Sequence, residues 1–99
     1  MLTKNFFRGF IKLHILHHAS KEPVYGVWII EELNRHGYKL SPGTLYPILH
    51  SLEEEKLLTS RSETVEGKIR KYYEITDEGK KRLEESKLKV KELVDELYQ

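Results

Sequence analysis

The sequence predicts a mainly α fold with one small β-hairpin and a long C-terminal helix, and three features predict it. After Ser41-Pro42-Gly43, the apolar residues Leu45, Ile48, Leu49 and Leu52 recur at i, i+3, i+4 and i+7, the spacing of a helix buried along one face. Two stretches rich in Thr, Val, Ile and Tyr, residues 58–65 and 69–75, flank Glu66-Gly67-Lys68 and read as a hairpin. From Thr76 onward a second apolar stripe, Leu83, Val90, Leu93, Val94, Leu97 and Tyr98, keeps helical spacing, with Leu88 alone off it.

The elements follow in order. Leu2 to Ala19 reads as a first helix with Phe6, Phe7, Phe10, Ile11, Leu13, Ile15 and Leu16 on nearly every side. A helix apolar all round is buried all round, so one side is expected to meet its own domain and another a second chain. Ser20-Lys21-Glu22-Pro23 ends it. A second helix is expected from Val24 to Arg35, burying Val27, Ile29, Ile30 and Leu33, with Gly37 in the left-handed position that stops it. Ser41 suits the N-cap of a third helix, and Pro42 its first position, where a missing N–H costs nothing. Pro47 falls where a helix normally needs its N–H. Thr76 is the expected cap of a last helix of about 22 residues, with Asp77 and Glu78 set against its dipole.

At 99 residues the chain has the size of one domain with a modest core. It has no cysteine, which excludes disulfides and thiolate metal sites. No apolar run nears the roughly 18–20 residues that span a bilayer and no signal-peptide pattern opens the chain, so a cytoplasmic protein is expected, away from membranes. The net charge of +1 hides a local imbalance: residues 1–21 hold Lys4, Arg8, Lys12 and Lys21 against no acid, whereas residues 22–56 hold twice as many acids as bases.

Two short helices, a tight turn, a third helix and a hairpin make a winged helix-turn-helix, here residues 1–76, with residues 77–99 as a dimerisation helix. In such a motif the third helix enters the major groove of DNA. Its outward positions are Gly43, Thr44, Pro47, His50, Ser51 and Glu54, with Tyr46 on the flank. None is Arg or Lys, so strong bidentate reading of guanine is not expected; thymine methyls and phosphates suit Thr44, Tyr46 and Pro47, and His50 can donate to a base edge. In the hairpin, alternation puts Arg70 and Tyr72 on one face and Lys71, Tyr73 and Ile75 on the other. A buried Ile75 leaves Arg70 to project toward DNA, with Lys68 at the tip reaching phosphate. His14, His17 and His18 share a helix but lack an acid or cysteine nearby, so no metal and no other cofactor is expected. No catalytic pairing or phosphate loop appears, which argues against an enzyme. The near-neutral charge keeps open an alternative: a winged-helix module that binds another protein and DNA weakly or not at all.

Tyr25-Gly26, GYKLSPGTLYPILHSLEEEKLL over residues 37–58 and EGKIRKYYEITDEGKKRL over residues 66–83 together resemble the PadR-like family of transcriptional regulators. The resemblance covers nearly the whole chain. It implies a bacterial or archaeal repressor that binds a pseudo-palindromic operator as a homodimer, paired through the first helix and a single C-terminal helix. The interface residues are then Phe6, Phe7, Phe10, Leu83, Val90, Leu93, Val94, Leu97 and Tyr98. DNA contacts carry over onto Tyr25, Ser41, Thr44, Tyr46, Pro47, Lys68 and Arg70. Some family members respond to phenolic acids or flat drugs at the dimer interface, the latter through a tryptophan in the terminal helix. Here the single tryptophan is Trp28, on the second helix, and any effector is unnamed.

Overall fold

The computed structural model describes residues 4–99; the expected start of the first helix at Leu2 lies outside them. The order is α1 (Lys4–Ala19), β1 (Val24–Tyr25), α2 (Gly26–Arg35), α3 (Pro42–Glu54), β2 (Leu58–Val65), β3 (Lys68–Ile75) and α4 (Asp77–Leu97). The strands form one antiparallel sheet in the order β1-β3-β2. Strand β1 was not foreseen. Val24 and Tyr25 pair with Tyr73 and Tyr72, so the chain enters α2 from a strand, and α2 begins at Gly26 instead of Val24.

The core gathers one face from each helix. Leu45, Ile48, Leu49 and Leu52 of α3 are fully buried beside Ile15, Ile29, Leu33 and Tyr73. Burying each aliphatic side chain is worth about 1.5–3 kcal/mol, which fixes the rotation of α3 and leaves its opposite face outward. Two readings of the core change. Val27 is 59% exposed, whereas Ile29 and Leu33 on the other side of α2 are buried as expected. Ile75 is half-buried, and Tyr73 fills the centre from the same strand face.

Both helices of the helix-turn-helix end alike. Gly37 is left-handed (φ 95°), with Gly37 N–H donating to the Asn34 carbonyl and Tyr38 N–H to that of Leu33. Lys56 (φ 63°) plays the same part after α3, where Leu57 N–H reaches back to Leu52. The Asn34 side chain staples the intervening turn: its Oδ1 accepts from the Leu40 N–H at 2.8 Å and its Nδ2 donates to the Leu40 carbonyl. In the hairpin, Glu66 and Gly67 both have positive φ, the two-residue turn whose twist matches the strands.

Helix α4 is capped as expected, Thr76 Oγ1 accepting from the Gly79 N–H at 2.9 Å. Its first two turns belong to the core, since Gly79 and Leu83 are buried. After Leu83 no residue of α4 is buried, although α4 borders a groove against α1 as far as Val90, and the molecule measures 54 × 29 × 21 Å. A division at residue 76 therefore cuts through packed structure.

Candidate nucleic-acid interface

The outward face of α3 is assembled from its first two turns. Ser41 has the extended backbone of an N-cap, and its carbonyl accepts from the N–H groups of Thr44 and Leu45. Its side chain does not cap the helix; the Ser41 and Thr44 hydroxyls lie 3.4 Å apart at the surface. Pro47 sits inside an unbroken helix, exposed with Thr44 and His50. Tyr46 is held from behind: its ring end occupies the space a side chain at Gly26 would fill, so the start of α2 is shaped around it. Ser51, counted above as outward, is committed elsewhere. Lys12 Nζ of α1 donates to Ser51 Oγ (3.1 Å) and to Glu55 Oε1 (2.9 Å), and this hydrogen bond holds the Glu55 carboxyl below its ordinary range.

The wing is tied to α3 at its base. Ser60 Oγ donates to Glu53 Oε2 at 2.6 Å, and Lys71 Nζ lies 3.7 Å from Glu53 Oε1. Arg70 does not project as the sequence suggested. Its guanidinium carbon lies 4.0 Å from the Tyr25 ring centre, within cation–π range. Tyr25 meets Tyr72 edge-on, and the guanidinium carbon of Arg61, opposite Tyr72 in the register, lies 5.1 Å from the Tyr72 ring centre. A hydrogen bond to the Tyr72 hydroxyl raises the Arg70 pKa further, against the opposing effect of partial burial. Arg70 is thereby pre-positioned on β1 and half-buried. Lys68 stands beside Gly67, exposed, and among the described residues its ammonium makes no ion pair or hydrogen bond.

Comparison with known proteins bears on this geometry. Residues 15–85 match the PadR-like family of transcriptional regulators. The transcriptional regulator Rv3488 of Mycobacterium tuberculosis is 46% identical over 94 residues, which make up 95% of this chain and 88% of that one. The chain belongs to the PadR-like family. It is accordingly a transcriptional regulator of that family, and its architecture is the PadR-like winged helix. A PadR-like regulator from Bacillus cereus superposes with a TM-score of 0.81 at 37% identity, covering 97% of this chain and 98% of the other. A PadR-like transcription factor from Bacteroides fragilis gives 0.83 at 33% identity, over 94% and 91%.

Within this PadR-like frame the sequence-predicted residues fall into separate groups. Ser41, Thr44, Tyr46, Pro47 and His50 share α3 and its cap, and Tyr25 and Arg70 stack beside the hairpin. Phe6, Phe7 and Phe10 form an exposed edge-to-face cluster with ring centres 5.7 and 4.7 Å apart. Val90, Leu93, Val94, Leu97 and Tyr98 are exposed along α4. Leu83 is not among them: it is 4% exposed, buried against its own core, and leaves the list of interface candidates. Leu88 stands with Val90 on the rim of a groove of about 1520 Å³ between α1 and α4. Sequence reasoning missed Asn34 and Arg61. The first left a signal, an Asn three residues before the helix-ending Gly37; the second needs the strand register.

The histidines form a ring cluster. His14 packs against His36 (5.7 Å) and Tyr38 (5.5 Å), His18 edge-on against Trp28 (5.3 Å), and Glu32 lies 3.6 Å from His18 and 3.1 Å from His36. The Arg35 hydrogen bond pulls the Glu32 carboxyl down to about 2. Among the described residues no group is set to hold a metal ion, and no helix is long and apolar enough to cross a membrane.

Proposed function

We propose that this PadR-like regulator is a sequence-specific DNA-binding repressor that grips a pseudo-palindromic operator as a homodimer. One observation carries the reading: α3 is buried to completion on one face, and its other face holds out Thr44, Tyr46, Pro47 and His50 beside a wing with a free Lys68. Thr44, Tyr46 and Pro47 meet thymine methyls and phosphates, His50 donates to a base edge, and Ser41 contacts phosphate at the helix start. Arg70 and Tyr25 act as one stacked unit against the backbone. Residues 1–76 with the first turns of α4 form the reading head, and α4 from Val90 onward pairs the subunits.

Salt dependence tests it. A dimer neutralising roughly four or five phosphates per subunit gives a log K against log salt slope of about −7 to −9 on its best duplex. A slope shallower than about −3 overturns groove binding and favours a protein partner, the reading that the absence of Arg and Lys on α3 supports.

A further inference from the structure

Helices α1 and α3 converge on an open cleft of about 610 Å³ beside the reading face. From α1 it is lined by Lys4, Arg8 and the apolar Phe7 and Ile11; from α3 by Gly43, Thr44, Pro47 and Ile48. Lys4 and Arg8 are four residues apart, on one helix face, so both cations border the same opening. Their neighbour Lys12 is neutralised by Glu55, and Lys71, Arg61 and Arg35 each have an acid within 4 Å. Lys4 and Arg8 have none among the described residues, and both are exposed. Gly43 lines the cleft from the first turn of α3.

We infer that Lys4 and Arg8 extend the DNA interface onto α1, each taking a backbone phosphate of the strand that flanks the groove entered by α3. This rests on the DNA-binding reading above and deepens it. The physical argument is charge placement. The first two turns of α3 carry no cation, so attraction to the phosphates on that side has to come from another element. The cleft sets two uncompensated cations against Thr44 and Pro47, residues already on the reading face. A phosphodiester is the occupant that fits: it is anionic, and it is continuous with the groove contacted by Thr44. Such contacts position the protein without reading sequence.

The test compares the full chain with Lys4→Gln/Arg8→Gln and with the charge-preserving Lys4→Arg/Arg8→Lys, on an arbitrary duplex of about 30 base pairs across a salt series. Because phosphate contacts are sequence-independent, no operator is needed. Loss of two contacts per subunit makes the dimer's slope shallower by about three to four units, whereas the charge-preserving variant keeps the wild-type slope. Thermal melts and sedimentation of both variants accompany the titration, so that lost affinity is credited only to variants that remain folded and associated as wild type. A neutral variant that keeps the wild-type slope overturns the inference alone. So does a charge-preserving variant that loses as much as the neutral one, since size and not charge would then matter, and so does a neutral variant whose loss tracks misfolding or dissociation. Failure of the wild type to bind any duplex overturns the DNA-binding reading itself, and this inference with it.

Discussion

At the scale of single residues, three positions, Tyr73, Gly79 and Gly26, are constrained tightly enough to give distinct predictions. Tyr73 fills the core, yet among the described residues its hydroxyl finds no hydrogen-bond partner. Burial pushes its pKa up to about 12, so it is a neutral phenol near neutral pH. Leaving a buried hydroxyl unpaired costs about 1–3 kcal/mol. Tyr73→Phe is therefore expected to raise the unfolding free energy by about 1 kcal/mol in urea titrations; a loss of that size would mean the hydroxyl is satisfied. The two buried glycines behave differently from each other. A Cβ at Gly79 would overlap the Leu57 carbonyl, which is backbone and cannot yield, so Gly79→Ala is expected to cost about 3 kcal/mol. A Cβ at Gly26 would overlap the end of the Tyr46 ring, which is partly exposed and can swing away. Gly26→Ala is then expected to cost only about 1 kcal/mol in stability while displacing Tyr46 from the reading face and weakening DNA binding. The reverse order of the two stabilities, or a Gly26→Ala variant with unaltered affinity, contradicts this account.

At the scale of elements, the contact between α1 and α2 is sensitive to acid. Burial, aided by the charges of His36 and His17 against the opposing pull of Glu32, holds His14 below its ordinary value. Burial also lowers His18, again against Glu32, with the neighbouring histidines assisting. Both bind a proton more weakly folded than unfolded. The stability this represents is complete above about pH 6.5 and is lost as pH falls through and below that value, because protonation then favours the unfolded chain. Glu32, held near 2, titrates in a separate window below about pH 4.5 and stays constant across this one. Melting temperature is expected to fall from pH 7.5 to pH 5 more steeply in wild type than in His14→Gln/His18→Gln; parallel curves would rule the mechanism out. This contact was not legible in the sequence, where three nearby histidines show no partner, since Glu32, His36 and Tyr38 arrive from the following helix and turn. Legibility followed the range of the forces involved. The buried face of α3, the Thr76 cap and the Gly37 stop depend on neighbours within about seven residues and were read correctly. Strand β1 owes its existence to hydrogen bonds with β3, nearly fifty residues on, and two residues carry no period. The same distance hid the Arg70–Tyr25 stack, so a residue read as reaching outward lies along the sheet.

At the scale of the whole molecule, the described residues leave apolar surface exposed on α1 and α4. After Leu83 no residue of α4 is buried, although Leu93 is 52% and Leu97 68% exposed, and Phe7 of α1 is 47% exposed. A single helix projecting into water is marginally stable on its own, and its Lys91–Asp95 and Lys87–Glu84 pairs, both exposed, are worth only a few tenths of a kcal/mol each. A second copy supplies both missing surfaces at once, if α4 from Val90 to Tyr98 lies against the partner's Phe6, Phe7 and Phe10, because the twofold operation repeats the contact. In the proposed dimer the same symmetry would serve DNA binding, because two α3 helices meet successive major-groove faces only when held about 34 Å apart. Burying one leucine is worth about 1.5–3 kcal/mol, and each substitution occurs twice in a symmetric pair. Leu93→Glu adds the cost of burying a carboxylate without a partner. It is expected to sediment as a monomer at micromolar concentration and to lose tight operator binding, with its reading face and monomer fold intact by circular dichroism. Leu83→Ala, by contrast, is expected to destabilise the fold by about 2–5 kcal/mol without selectively dissociating the pair, since that side chain is spent in its own core. Wild-type protein sedimenting as a monomer would overturn the pairing itself, and a dimeric Leu93→Glu variant that binds DNA normally would show that α4 is not what pairs the subunits.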